Sequence, residues 1–133
     1  MSAPSSPRPE QYARDVPIQK LRQSWNACLR ASSALGAHQL LTSRGAGKAV
    51  LVPFSWYGRA RQALGTAEEW EPLGSRGARP AISALVGRVA SGEHIVLTSD
   101  GIELAALVPM PWHTEAVATL RPDAPLGELP PLD

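Results

Sequence analysis

Two histidines and two tryptophans recur at matched places, His38 with His94 and Trp56 with Trp112, each pair 56 residues apart. Imidazoles from paired copies could meet and hold a metal ion, and indoles could stack on nucleotide bases. Neither chemistry is well supplied. Apart from Glu93 before His94, no acid or thiol stands beside the histidines, whose ordinary place is flanking a turn with partial burial. A tryptophan that opens a helix after a strand packs into the core. Thr42-Ser43 and Thr98-Ser99 offer hydroxyls, but no Ser-His-Asp order, GxSxG elbow or phosphate loop accompanies them. The stretch RGAGK at 44–48 lacks the spacing and the following Ser/Thr of a phosphate loop, and Glu68, Glu69 and Glu71 read as a solvated cluster. No two groups are arranged for general acid-base work. The chain is therefore read as non-enzymatic, with no catalytic residue, no metal and no cofactor.

The cations carry more information. Residues 1–66 hold nine Lys and Arg against two acids, and residues 67–133 hold four against ten. A net charge of +1 thus conceals halves of +7 and −6. Such asymmetry fits a side that faces a polyanion, here Arg8, Arg14, Lys20, Arg22, Arg30, Arg44, Lys48, Arg59 and Arg61. It fits equally well two halves that attract each other.

The elements that must position these residues come from an internal repeat. Residues 22–60 lie over residues 78–116 without a gap, and 14 of the 39 positions are identical. The matches include Gly36 with Gly92, Leu41-Thr42-Ser43 with Leu97-Thr98-Ser99, and Leu51-Val52-Pro53 with Leu107-Val108-Pro109. Two copies are too few for a solenoid, so equivalent modules that bury one face against each other are expected. In each, an amphipathic helix comes first. Residues 22–35 put Trp25, Cys28, Leu29, Ser32 and Leu35 near one stripe, and residues 79–90 do so with Ile82, Leu85, Val86 and Val89. Gly36 and Gly92 stop the helices. Strands 38–43 and 94–99 follow, then glycine turns RGAG and DGIE, then return strands 48–52 and 104–108. Pro53 and Pro109 end the hairpins. Ser55 is placed to cap a helix running to about Leu64, and Pro111 suits the first turn of its counterpart from Trp112 to about Leu120.

The chain divides accordingly into an N-terminal arm at 1–13, a first module at 14–64, a linker at 65–75, a second module at 76–120 and a proline-rich acidic tail at 121–133. The linker can hold an edge strand around Trp70–Leu73. With 133 residues and 44% hydrophobic composition, space for a large active site is limited. No run approaches the roughly 18 apolar residues of a membrane helix, and the start, MSAPSSPRPEQYARD, lacks the apolar core of a signal peptide. A cytoplasmic location without membrane contact is expected. The single cysteine, Cys28, excludes an internal disulfide and reads as a small buried apolar residue.

Residues 78–109, ARPAISALVGRVASGEHIVLTSDGIELAALVP, resemble the Phd/YefM antitoxin family. The shared pattern is an Ala-Arg pair opening a helix, a glycine before a strand, an Ile/Leu-Thr followed by a Gly turn, and a closing apolar strand. Residues 21–53 look like a more diverged copy, in which one extra residue in the helix pairs Arg22 with Arg79 and Trp25 with Ile82. The resemblance implies an α+β fold of two tandem helix, hairpin, helix modules, forming an intrachain pseudo-dimer with a shared antiparallel sheet. It also implies an antitoxin-type DNA-binding transcriptional regulator acting on its own operator, with a cognate toxin as a second partner. Arg22 and Arg79 match the helix-opening arginine of the family. Lys20, Gln19, Ser24, Ser75, Arg76 and Arg14 join them as physically suited neighbours, because a helix start with a guanidinium anchors phosphate and Arg reads guanine. Leu120, Leu126, Leu129 and Leu132 are the expected partner-binding residues. The alternative reading is a protein-interaction module or a structural assembly subunit without DNA binding, and free sheet edges would permit further self-association.

Overall fold

The computed structural model describes residues 12–65 and 69–124. The expected arm falls almost wholly outside the described residues, as do Leu126, Leu129 and Leu132. Twelve elements run in order: β1 Arg14–Pro17, α1 Ile18–Gln23, α2 Trp25–Ser33, β2 Gln39–Ser43, β3 Ala46–Pro53, α3 Phe54–Leu64, β4 Trp70–Gly74, α4 Ser75–Ala78, α5 Ile82–Ala90, β5 His94–Ser99, β6 Ile102–Pro109 and α6 Met110–Thr119. The architecture is mixed α+β, with one six-stranded sheet in the order β1-β2-β3-β6-β5-β4.

Exchanging the two halves of the chain leaves that order unchanged. The central contact is antiparallel, β3 against β6, and in it Leu51 faces Leu107, the very residues matched by the 56-residue offset. Val50 faces Val108 and Val52 faces Ala106 on either side, so an approximate twofold axis passes between the two leucines. The expected all-antiparallel sheet needs correction at its rims, because β1 runs parallel to β2 and β4 parallel to β5. Both edge strands lead directly into short helices, and the chain then returns through a longer helix before pairing, which is the crossover a parallel neighbour requires.

Both hairpins turn on two residues of positive φ, Arg44 (53°) with Gly45 (77°) and Asp100 (51°) with Gly101 (78°). Such mirror-image turns suit the right-handed twist of flanking strands, and their first position takes a non-glycine residue only at some cost. Each hairpin also carries a register shift at the same place, after Leu41 and after Leu97. The helices depart from expectation at their starts. Ser24, at φ −118°, breaks the first into α1 and α2. The equivalent break at Arg79–Ala81 separates α4 from α5, and it contains Pro80. The extra residue of the first half lies after α2, in the four residues 34–37 that answer to 91–93. This shortening leaves Leu35 45% exposed, outside the stripe assigned to it, while Trp25, Cys28, Leu29 and Ser32 are buried. Ser55 caps nothing: Pro53 occupies the cap position of α3 and Ser55 lies exposed in its first turn.

Strand alternation sorts the core into two layers. Leu41, Leu51, Ile95, Leu97 and Leu107 pack under α1, α2, α4 and α5. Val50, Val52, Val96, Ala106 and Val108 pack under α3 and α6. Being covered on both faces, β3 and β6 read as continuous apolar runs. No helix among the described residues is long and apolar enough to cross a membrane.

Candidate nucleic-acid interface

The short helix at the start of each half puts its cations on one side of the molecule. Leu21 of α1 and Ala78 of α4 are the buried anchors, which turns Gln19, Arg22, Arg76 and Arg79 outward. Lys20, Ser24 and Ser75 are half-buried. Because Leu21 and Ala78 seat both helices near the axis, Arg22 and Arg79 meet there. Arg79 Nη2 donates to the Arg22 carbonyl at 2.9 Å, and Arg22 Nη2 donates to Ser83 Oγ on α5. The two matched arginines are thus joined across the middle. Neither opens a helix as expected: Arg22 lies in the last turn of α1 and Arg79 closes α4, because the chain breaks before each longer helix begins.

Two matched crevices flank them. Gln19, Arg22, Thr42, Ser43 and Arg44 line one of about 280 Å³ in the first half. Ser75, Arg76, Thr98, Ser99 and Asp100 line one of about 130 Å³ in the second. Hydroxyls at the start of each hairpin turn face a cation on the short helix in both. The turn residue differs, Arg44 in one and Asp100 in the other. The first crevice is consequently the more electropositive. Arg14 is not among the lining residues of either. It lies in β1, half-buried, and burial lowers its pKa, opposed in part by nearby Cys28. The Cys28 thiol is buried in turn and pushed upward in pKa by desolvation, which leaves it unreactive.

On the opposite face lies a cluster of which sequence reasoning named His38, His94, Trp56 and Trp112 but missed Tyr57 and His113. His38 and His94 are 1% and 4% exposed rather than half-buried, and they do not face each other. His38 Nδ1 lies 2.8 Å from Nε2 of His113, and His94 Nδ1 lies 2.8 Å from Oη of Tyr57. Tyr57 and His113 are themselves 56 residues apart, so the two pairs are symmetry mates, each reaching from one half to the helix of the other. Each histidine also stands edge-on to the tryptophan of its own half, His38 to Trp56 at 4.4 Å and His94 to Trp112 at 5.1 Å between ring centroids. Trp56 and Trp112 meet at 90°. Both tryptophans are therefore core residues, 0% and 8% exposed. Burial lowers the pKa of His113 to about 4, and burial with the neighbouring His113 lowers that of His38 further. Both rings are neutral near pH 7. Their signal was present one residue after each matched tryptophan, but Tyr57 and His113 differ in type and escape a search for identities.

No group of three or more His, Cys, Asp or Glu able to hold a metal occurs among the described residues. Leu120, the one described member of the expected partner-binding set, is half-buried against the layer under α3 and α6. No family model, no curated protein and no solved structure matches the chain.

Proposed function

We propose that the chain is a DNA-binding transcriptional regulator of the antitoxin type, in which two tandem Phd/YefM-like modules form an intrachain pseudo-dimer that binds its own operator. The observation that carries this reading is the meeting of Arg22 and Arg79 across the approximate twofold axis, with a hydroxyl-lined, cation-bearing crevice on each side. Twofold placement of two equivalent cation-bearing crevices suits a pseudo-palindromic duplex. Lys20, Arg22 and Arg44 serve as phosphate and base contacts in the first half, and Arg76 and Arg79 in the second.

The halves contribute unequally. Asp100 stands where the first half has Arg44, and Glu103 where it has Gly47, so the second crevice repels phosphate while Arg76 attracts it. Affinity rests mainly on Arg22 and Arg44. The slope of log affinity against log salt measures how many phosphates are neutralised. Arg44→Ala is expected to lower that slope by about 1, and Arg76→Ala by less. Equal slopes for the two variants would refute the unequal division, and a slope near zero in the unmodified protein would refute DNA binding itself.

A further inference from the structure

The crevice between α1 and the first hairpin turn differs from its counterpart in both size and charge. Its volume, about 280 Å³, is about twice the 130 Å³ of the second, and lies near the lower end of the range for small-molecule pockets, roughly 300 Å³. The guanidiniums of Arg22 and Arg44 line it, and neither is paired with a carboxylate among the described residues. Arg22 is held in place, because its Nη2 donates to Ser83 Oγ on the crevice wall. Thr42 and Ser43 add hydroxyls and Gln19 an amide, and no acid lines the crevice among the described residues.

The backbone disfavours the arginine that completes this set. Arg44 is the first residue of a mirror-image hairpin turn, with φ of 53°, a position dominated by Asn, Asp and Gly. The second half follows that preference with Asp100 at φ 51°. The first half does not, and residues kept in costly backbone conformations cluster at ligand sites. Asp100 also brings a carboxylate to the crevice lined by Arg76. The second crevice thus carries its own negative charge, and the first carries none.

We propose that the first crevice binds the phosphomonoester group of a small molecule, one per chain, and that its occupation displaces an operator phosphate. A phosphomonoester carries a charge of about −1.5 to −2 near pH 7 and offers three acceptor oxygens. Two guanidiniums match that charge and grip phosphate oxygens through paired N–H donors, while the hydroxyls and the Gln19 amide supply further donors. A phosphodiester of the DNA backbone has a single negative charge and only two free oxygens, so it satisfies the crevice less well. Displacement rests on the DNA-binding function proposed above; binding of the phosphomonoester does not.

Methyl phosphate and dimethyl phosphate, titrated separately into the ¹⁵N-labelled full chain at constant pH and ionic strength, distinguish the two phosphate types. The amide resonances of Ser43 and Gly45 are followed beside those of Ser99 and Gly101 in the matched turn. Methyl phosphate is expected to shift Ser43 and Gly45 saturably and to bind about fivefold more tightly than dimethyl phosphate, the effect of one further partly exposed charge. Ser99 and Gly101 should respond at least about fivefold more weakly, and Arg44→Asn, which suits the turn, should lower monoester affinity about fivefold. Equal response of the two turns, no preference for the monoester, or undiminished binding by Arg44→Asn would overturn the proposal. These spectra contain no DNA, so their outcome is separate from that of operator binding. Release of a bound duplex by methyl phosphate at constant ionic strength then tests displacement, and a duplex that stays bound once the crevice is saturated would overturn that step.

Discussion

His38 and His113 lie side by side in the core, Nδ1 to Nε2 at 2.8 Å, with His38 Nε2 and His113 Nδ1 enclosed and without partners among the described residues. One hydrogen bond joins two neutral rings, so whichever ring donates, one buried N–H and one buried lone pair are left unmatched. The arrangement tolerates no added proton. Unfolded histidine titrates near 6.5, whereas His113 in the fold titrates near 4 and His38 lower still. Below pH 6.5 the unfolded chain therefore binds more protons than the folded one. Stability is complete above that pH and falls as pH drops from 6.5 towards 4, by about 1.4 kcal/mol per pH unit for each histidine. Urea denaturation at a series of pH values measures the slope.

His113→Tyr converts this pair into the His–Tyr pair already present between His94 and Tyr57. One titrating ring is removed and the repulsion on His38 with it. The slope between pH 6.5 and 4 should fall by about half, or by about 1.4 kcal/mol per pH unit, with stability at pH 7 maintained. An unchanged slope would show that the acid sensitivity resides elsewhere.

A second buried polar group distinguishes the halves. Gln39 Nε2 donates to the Cys28 carbonyl and to Ser32 Oγ, each at 2.8 Å, and Ser32 Oγ donates to the Ala37 carbonyl. Ile95 occupies the matching strand position and Val89 the matching helix position in the second half. Ser32→Val alone leaves the Gln39 amide short of an acceptor and should cost about 1–3 kcal/mol, whereas Ser32→Val with Gln39→Ile removes the whole polar set and should be nearly neutral. Thermal denaturation of the two variants gives the comparison, and a double variant weaker than the single one would contradict it.

The turn residue Arg44 joins stability and binding in opposite senses. Its φ of 53° suits asparagine better than arginine, so Arg44→Asn should stabilise the fold by a few tenths of a kcal/mol to about 1 kcal/mol. The same change removes a cation from the larger crevice and should weaken DNA binding. Melting and duplex binding measured on one preparation separate the two effects; parallel losses in both would mean that Arg44 supports the fold itself and would contradict the prediction.

Much of the architecture was legible because the repeat lies in the hairpins. Glycines at the turns, Leu-Thr-Ser before them and Leu-Val-Pro after them are short-range signals, and β2, β3, β5 and β6 follow from them closely. Strand β1 was not legible. Its four residues, RDVP, bury one side chain, Val16, and its pairing with β2 is made by backbone groups that leave no pattern. Its counterpart in the second half, β4, was found because Trp70 and Leu73 are apolar, one packing on each face of the sheet. The break at Ser24 was equally silent, whereas that at Arg79–Ala81 carried a signal in Pro80, which suits a helix start as well as a break. Among the site residues, the adjacency of Arg22 and Arg79 depends on how β3 meets β6, a register fixed only when both halves are folded together. The full burial of His38 and His94 has the same origin: each is covered by the other half's helix.

The reading as a regulator is decided by titrating the purified protein with a labelled duplex from upstream of its own reading frame, alongside a scrambled duplex, at two salt concentrations. Specific binding that weakens steeply with salt and is lost in the Arg22→Ala, Arg79→Ala double variant is the expected result. Absence of specific binding at either salt concentration, or binding that the double variant retains in full, would contradict it.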